Sequence, residues 1–165
     1  LAWCVAGRQG TFEYGRYAIT RKLEMPMATF VTLKMGGMLR GCIGSLEPVA
    51  KLYESVHDNA VNAALKDPRF RPVSAGELPP LDVHISVLSP IVEIDSLDAF
   101  KLGEHGIILE KGRHRAVYLP EVAPEQGWSV DETLSSLSQK AGLSADAWRT
   151  NTSFSVFSSV VLAQE

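Results

Sequence analysis

A cysteine with nearby glycines and an arginine stands out in the hexapeptide Leu39-Arg40-Gly41-Cys42-Ile43-Gly44. In a strand, side chains alternate between faces, so Arg40 and Cys42 would share one face. A guanidinium beside a thiol favours the thiolate, which is the form that attacks an electrophile or ligates a metal. Cysteine is also a common small buried residue, and glycine in a strand often marks a bulge or close packing. Both a reactive and a structural cysteine are therefore consistent with this hexapeptide.

A second chemically promising segment is Asp67-Pro68-Arg69-Phe70-Arg71-Pro72. Its two prolines stiffen the chain, and loops on rigid scaffolds often carry function. In one interpretation Asp67 caps a turn and Phe70 packs into the core. In the other, Asp67 or Arg69 lies beside the Cys42 cleft, where arginine geometry suits a carboxylate or phosphate. We predict that Arg69 points toward the same cleft as Cys42 and binds an anion.

The histidines give weaker signals. His105 lies in a predicted turn before Gly106, where it is either a plain turn residue or a candidate substrate-binding group. Asp82, His84 and Ser86 alternate along one predicted strand, but same-face neighbours of a strand are about 7 Å apart. Catalytic triads are normally assembled from separate segments, so we interpret this row as the solvated face of an antiparallel sheet.

The patterns around the hexapeptide predict the elements that position it. A strand over 28–34 and a two-residue turn at Gly36-Gly37 would pair Val31 with Cys42 and Leu33 with Arg40. Such a pairing makes the Cys42 face mostly apolar, so Arg40 must either find a carboxylate or face a cleft. A helix is predicted from Glu47-Pro48 to about Lys66. Its expected core-facing stripe consists of Leu52, Val56, Ala60 and Ala63.

Further along, clean alternation predicts a strand over Leu81–Leu88. A hairpin is expected from residues 107–109 and 116–119. Ser129 and Glu132 form a capping box that predicts the start of a helix, and Gly142 predicts its end. Alternation from Phe154 to Leu162, interrupted at Ser158, predicts a final strand. The mixed order of helices and strands indicates an α+β fold rather than repeated βαβ units.

Composition restricts the functions. With 16 Lys and Arg against 19 Asp and Glu, the net charge is −3, which disfavours a dominant nucleic-acid surface. Cys4 and Cys42 make no disulfide framework and no Cys-x-x-Cys pair, so we predict neither a metal site nor a cofactor. No apolar run reaches membrane length and no signal peptide is visible, so the cytoplasm is the expected compartment. The sequence starts at Leu1 without an initiator Met, and residues before it are expected to be missing.

The hexapeptide and Asp67-Pro68-Arg69-Phe70 resemble the AMMECR family, also called AmmeMemoRadiSam system protein A. Further similar stretches are Phe30-Val31-Thr32-Leu33, Ile85-Ser86-Val87-Leu88, Gly106-Ile107, Tyr118-Leu119-Pro120-Glu121-Val122 and Lys140-Ala141-Gly142. The resemblance covers nearly the whole chain and implies a single domain over residues 1–165. Its implied fold is a mostly antiparallel sheet with packed helices and a smaller second subdomain. The predicted hairpin in the second half of the chain suggests a small lobe around residues 103–128.

Two functions stay open on this reasoning. The first is an enzyme in which Cys42 is the catalytic nucleophile or acid/base, and an anionic substrate is bound by Arg40, Asp67, Arg69 and His105. The second is a non-catalytic module that binds a protein or an RNA. The family's name implies a working relationship with a Memo-like protein and a radical SAM protein. The sequence indicates no substrate and no oligomeric state.

Overall fold

The computed structural model describes residues 1–7 and 12–163. The strands are β1 Thr29–Met35, β2 Met38–Gly44, β3 Leu81–Leu88, β4 Val92–Ile94, β5 Gly106–Lys111, β6 His114–Tyr118, β7 Ser153–Phe157 and β8 Ser159–Ala163. The helices are α1 Ala2–Val5, α2 Leu52–Leu65, α3 Val122–Gln126 and α4 Val130–Lys140. The predicted α+β class is confirmed, since antiparallel strand pairs are combined with packed helices.

The chain divides into two compact units, Leu1–Leu88 with Val160–Glu165, and Ser89–Ser159. The first unit contains a four-stranded sheet in the order β2-β1-β3-β8. The second contains a four-stranded sheet in the order β4-β7-β5-β6. No helix within the described residues is long and apolar enough to cross a membrane.

In the first unit, α2 packs on the sheet through an apolar core. The core residues include Val31, Leu33, Ala63, Ala64, Val73 and Leu81. Gly41 lies opposite Leu33, and a Cβ placed on it would overlap the main-chain carbonyl of Ala63. The missing side chain therefore lets α2 lie directly against β2.

The hairpin of β1 and β2 differs from the predicted register. Thr32 lies opposite Cys42 and Leu33 opposite Gly41, while Lys34 lies opposite Leu39. Arg40 is thus the extra residue of a β-bulge, which shifts every pair beyond it by one position. The prediction that Val31 faces Cys42 is wrong for this reason.

The buried face of α2 also differs from the predicted apolar stripe. The buried residues are Ser55, Asn59, Ala63 and Ala64. The Thr29 and Ser55 hydroxyls are 2.7 Å apart, and Asn59 Nδ2 donates to the Thr29 carbonyl at 3.1 Å. Because these polar groups bond one another across the helix–sheet contact, they are buried without losing hydrogen bonds. Helix α2 ends near Lys66 as predicted, but it begins at Leu52 rather than at Glu47.

The second unit is built on the predicted hairpin and the capped helix. Strands β5 and β6 pair from Ile107 with Tyr118 to Lys111 with His114. The predicted capping box is present at the start of α4, with Ser129 and Glu132 bonded reciprocally. The predicted final strand is wrong in one respect, since the chain leaves one sheet after Phe157 and enters the other at Ser159.

Candidate functional site

Cys42 lies on the edge strand of the first sheet. Strand β2 has β1 on one side only, so one row of its main-chain groups needs partners from elsewhere. Both main-chain groups of Cys42 find them in the loop after α2. Its N–H donates to Asp67 Oδ2 at 2.9 Å, and its carbonyl accepts from Arg69 Nη2 at 3.2 Å. We call Asp67 and Arg69 the edge clamp.

The two residues of the edge clamp form a two-bonded ion pair. Arg69 Nε donates to Asp67 Oδ1 at 3.0 Å, and Nη2 donates to Oδ2 at 2.7 Å. The Asp67 side chain is 1% exposed, whereas that of Arg69 is 54% exposed. The side-chain hydrogen bond from Arg69, with the N–H groups of Cys42 and Arg69, holds the Asp67 pKa well below its usual range. A buried, ionised carboxylate therefore fixes the position of an exposed guanidinium.

Arg40 is engaged elsewhere. Its Nε donates to Glu77 Oε1 at 2.9 Å, and its Nη2 donates to the Pro72 carbonyl at 3.4 Å. Arg40 is 8% exposed, and its Nη1 is buried with no partner within the described residues. The guanidinium and the capping bonds of Ser74 lower the Glu77 pKa to about 2. The sequence predicted that Arg40 either pairs with a carboxylate or faces a cleft, and in the structure it pairs with the carboxylate of Glu77.

The Cys42 thiol is partly buried and faces a hydroxyl. Its Sγ lies 3.3 Å from Thr32 Oγ1, and either atom is able to donate. On the far side of Thr32, the register places His84 on the same face of the sheet. Neighbouring strands are about 4.8 Å apart, so Cys42 and His84 are two strand spacings from each other and share Thr32 between them.

This row of Cys42, Thr32 and His84 crosses three strands, and sequence reasoning missed it. The predicted register placed Val31 opposite the cysteine, so no signal linked Thr32 to it. The face is also less solvated than expected. Ser86 is 1% exposed and its hydroxyl has no partner within the described residues.

Of the five site residues predicted from the sequence, the structure brings Cys42, Asp67 and Arg69 into direct contact. Arg40 is two residues before Cys42 but bonds Glu77. His105 belongs to the second unit, where its Nδ1 accepts the Lys101 main-chain N–H at 3.2 Å. In the part of the chain that the structure describes, no group of three His, Cys, Asp or Glu residues is placed to hold a metal ion.

Fold and site together define an α+β protein of two antiparallel sheets, with a clamped cysteine on an edge strand. A family model described as AMMECR1 matches residues 6–162, and the chain belongs to the AMMECR1 family.

Relatives and a solved structure agree with this membership. Protein MJ0810 of Methanocaldococcus jannaschii is 42% identical over 116 residues, covering 67% of this chain and 58% of its own length. A protein of Methanothermobacter thermautotrophicus is 43% identical over 125 residues, covering 72% of this chain and 65% of its own length. These matches therefore span less than two thirds of the relatives. The crystal structure of an uncharacterized protein, PH0010 from Pyrococcus horikoshii, matches with a TM-score of 0.84 at 35% identity, covering 88% of this chain and 77% of that chain.

Proposed function

We propose that the chain is a cysteine-dependent enzyme that acts on an anionic substrate, with Cys42 as the nucleophile. In the reacting step Sγ forms a bond to an electrophilic carbon of the substrate. The thiol proton passes to water, and the leaving group departs with its electron pair. Arg69 attracts the substrate's negative group, and Thr32 orients the thiol.

The single observation that supports this proposal is the edge clamp. It binds the N–H and the carbonyl of Cys42 at once, so both main-chain groups on the open edge of β2 at this residue are fixed. Reactive groups need this kind of support, because a site that is loose by about an ångström loses much of its effect. Any residue at this edge position needs partners for its main-chain groups, but here both are supplied by one ion pair that also places a charged guanidinium next to the Cys42 main chain.

Charge is available beside the thiol. The side-chain hydrogen bonds that Arg69 donates to the Asp67 carboxylate raise the Arg69 pKa. The guanidinium therefore stays charged while more than half of its side chain is exposed. Arg40 and Glu77 are nearly buried and paired, so we assign them to positioning β2 rather than to binding substrate.

The test compares an anionic and a neutral alkylating reagent of nearly the same size. Iodoacetate and iodoacetamide are reacted separately with the native chain, and the rate at each cysteine is read by mass mapping. We expect the iodoacetate-to-iodoacetamide ratio to be several-fold higher at Cys42 than at Cys4, the internal control. Arg69→Gln should remove this difference. Equal ratios at the two cysteines in the wild type would contradict the anionic substrate.

A non-catalytic binding module is the second candidate, and one observation favours it. The first half of β2 exposes two apolar side chains, with Met38 74% and Leu39 43% exposed. As partners we propose the Memo-like and radical SAM proteins that the family's name implies. If the module is correct, Met38→Glu should weaken binding of a purified Memo-like protein and Cys42→Ser should not. Binding that is unaffected by Met38→Glu would remove this support.

A further inference from the structure

The face of the first sheet that carries the Cys42 thiol also carries an aromatic ring. Val31 of β1 packs into the core beneath α2, so strand alternation places Phe30 and Thr32 on the opposite face. The register pairs Thr32 with Cys42 and Phe30 with Gly44. Because paired residues of neighbouring strands share a face, the thiol and the Phe30 side chain lie on the same side of the sheet.

The Phe30 ring fills the space that a side chain at position 44 would occupy. A Cβ placed on Gly44 would overlap Cγ and Cδ1 of the ring. The ring therefore crosses from β1 onto β2, two residues beyond Cys42. Residues two apart in a strand are separated by about 7 Å along it. Phe30 and Cys42 are both partly exposed, so a bound molecule has access to the ring as well as to the thiol.

From Cys42, the Phe30 ring and the Arg69 guanidinium lie in different directions. The ring lies further along β2, over Gly44. The guanidinium lies beyond the open edge, where Nη2 donates to the Cys42 carbonyl. Main-chain hydrogen bonds of an antiparallel strand are perpendicular to the strand, so the two directions are roughly at right angles. A substrate that contacts both residues carries its anionic group and its apolar group on different sides of the electrophilic carbon.

An aromatic ring favours flat partners. Two rings that stack with an offset or meet edge to face gain more than the burial of their area alone provides. A saturated group of the same size buries similar area without this gain. The Phe30 ring next to the thiol therefore discriminates between substrates by the shape of their apolar group.

We infer that Phe30 is a specificity-determining residue of the Cys42 site, and that the anionic substrate carries a flat aromatic group next to its electrophilic carbon. Gly44 contributes to this specificity by leaving room for the ring. The inference rests on the proposed function, because Phe30 has a substrate to select only if the Cys42 thiol reacts.

A competition between N-phenylmaleimide and N-cyclohexylmaleimide tests the inference, since the two share one electrophile and only the phenyl ring is flat. With either reagent Sγ bonds to one alkene carbon, the C=C π bond breaks, and the other carbon takes the proton that the thiol gives up to water. An equimolar mixture is reacted with the native chain, and the ratio of phenyl to cyclohexyl adduct at Cys42 is read by mass mapping. The same ratio at Cys42 in the urea-unfolded chain gives the intrinsic preference.

We expect the native ratio to exceed the unfolded ratio about fivefold, as one aromatic contact allows. Phe30→Leu should reduce the native ratio to the unfolded value, whereas Phe30→Tyr, which keeps the ring, should preserve the preference. Iodoacetamide, which has no ring, should label Cys42 in Phe30→Leu within about twofold of the wild-type rate, because the edge clamp is unchanged.

The outcomes separate the inference from the proposed function. If iodoacetamide labels native Cys42 but the native and unfolded ratios are equal, the inference is overturned and the proposed function stands. A preference that survives in Phe30→Leu would belong to another group and would also overturn the inference. If no reagent labels native Cys42, the proposed function fails and the inference fails with it. Should Phe30→Leu not fold, the wild-type and Phe30→Tyr ratios decide.

Discussion

The main-chain N–H of Cys42 donates a 2.9 Å hydrogen bond to Oδ2 of Asp67, 25 positions further along the chain. In an inner strand, a main-chain group of the neighbouring strand would take this bond. Here a buried carboxylate takes it, and the carbonyl of Cys42 is bonded by the same ion pair. These bonds satisfy the main-chain groups on the open edge of β2 at Cys42, the residue of this strand that carries a thiol.

Removing the charge of Asp67 should therefore destabilise the first unit. Asp67→Asn leaves the Arg69 guanidinium without its counter-charge. It also places a side-chain NH₂ group, which cannot accept a hydrogen bond, near the donors of Cys42 and Arg69. We expect the free energy of unfolding to fall by about 2 kcal/mol, which is typical of losing hydrogen bonds to a charged group, because the Arg69 side chain left behind is more than half exposed. Urea denaturation measures the change.

The matched control is Asp82→Asn, which makes the same substitution at an exposed position of β3. We expect it to lie within about 0.5 kcal/mol of the wild type. If both substitutions have the same small effect, the edge clamp does not stabilise the fold.

Stability should also fall in acid, for a reason that the pKa shifts define. The folded pKa of Glu77 is about 2 instead of 4.5, and that of Asp67 is also lowered. Above about pH 4.5 both groups are ionised in the folded and unfolded chain, so their stabilisation is complete. As the pH falls further, the unfolded chain binds protons first and the free energy of unfolding decreases.

Glu77→Gln should reveal this linkage. At neutral pH the variant lacks the stabilisation that ionised Glu77 gives the wild type. In acid the wild type loses that stabilisation too, so the difference in free energy of unfolding between the two should shrink between about pH 5 and pH 2.5. Urea denaturation across that range measures it, with the exposed Glu93→Gln as the baseline. A Glu77→Gln difference that does not change with pH would contradict the assignment.

Gly41 should tolerate no side chain, because α2 lies against it. In Gly41→Ala the added Cβ meets the Ala63 main-chain carbonyl, so the helix must shift. Overpacking of this kind costs about 1–3 kcal/mol. Gly76→Ala is the control, since a Cβ there has no atom within 4 Å. Thermal denaturation of the two variants should show a clear loss for the first alone; equal melting would show that β2 and α2 are further apart.

The sequence predicted best where a pattern is local. Strand β3 has the predicted limits because its alternation is unbroken, and α4 begins where the capping box places it. The predicted register of β2 was wrong because a bulge adds one residue, Arg40, to the strand. The residue types around Arg40 give no signal of this bulge. The apolar stripe predicted for α2 includes neither Ser55 nor Asn59, yet both are buried, and Thr29 satisfies them inside the core.

The site was predictable only in part for a similar reason. The hexapeptide and the Asp67–Arg69 loop were both chosen from residue types, but the bond between them joins distant positions. That Asp67 and Arg69 contact the main chain of Cys42, and that Thr32 faces its thiol, depends on the register and on the path of the loop. Neither is encoded in any local spacing.

Arg40 should act on stability rather than on the thiol. Its guanidinium bonds Glu77 and the Pro72 carbonyl, so Arg40→Met should lower the free energy of unfolding. In the folded protein the rate at which iodoacetamide alkylates Cys42 should stay within about twofold of the wild type. Loss of the Arg40–Glu77 pair leaves the bonds of the edge clamp to Cys42 intact. A large drop in that rate would instead assign Arg40 to the thiol.

The central claim is that Cys42 is presented for reaction in the folded protein. Its most direct test is the iodoacetamide rate at Cys42 under native conditions, with Cys4 in the same molecule as the reference. We expect Cys42 to be labelled several-fold faster than Cys4, and to lose that advantage when urea unfolds the chain. If Cys42 stays unlabelled until the protein unfolds, the thiol is a packing group and the enzyme loses its nucleophile.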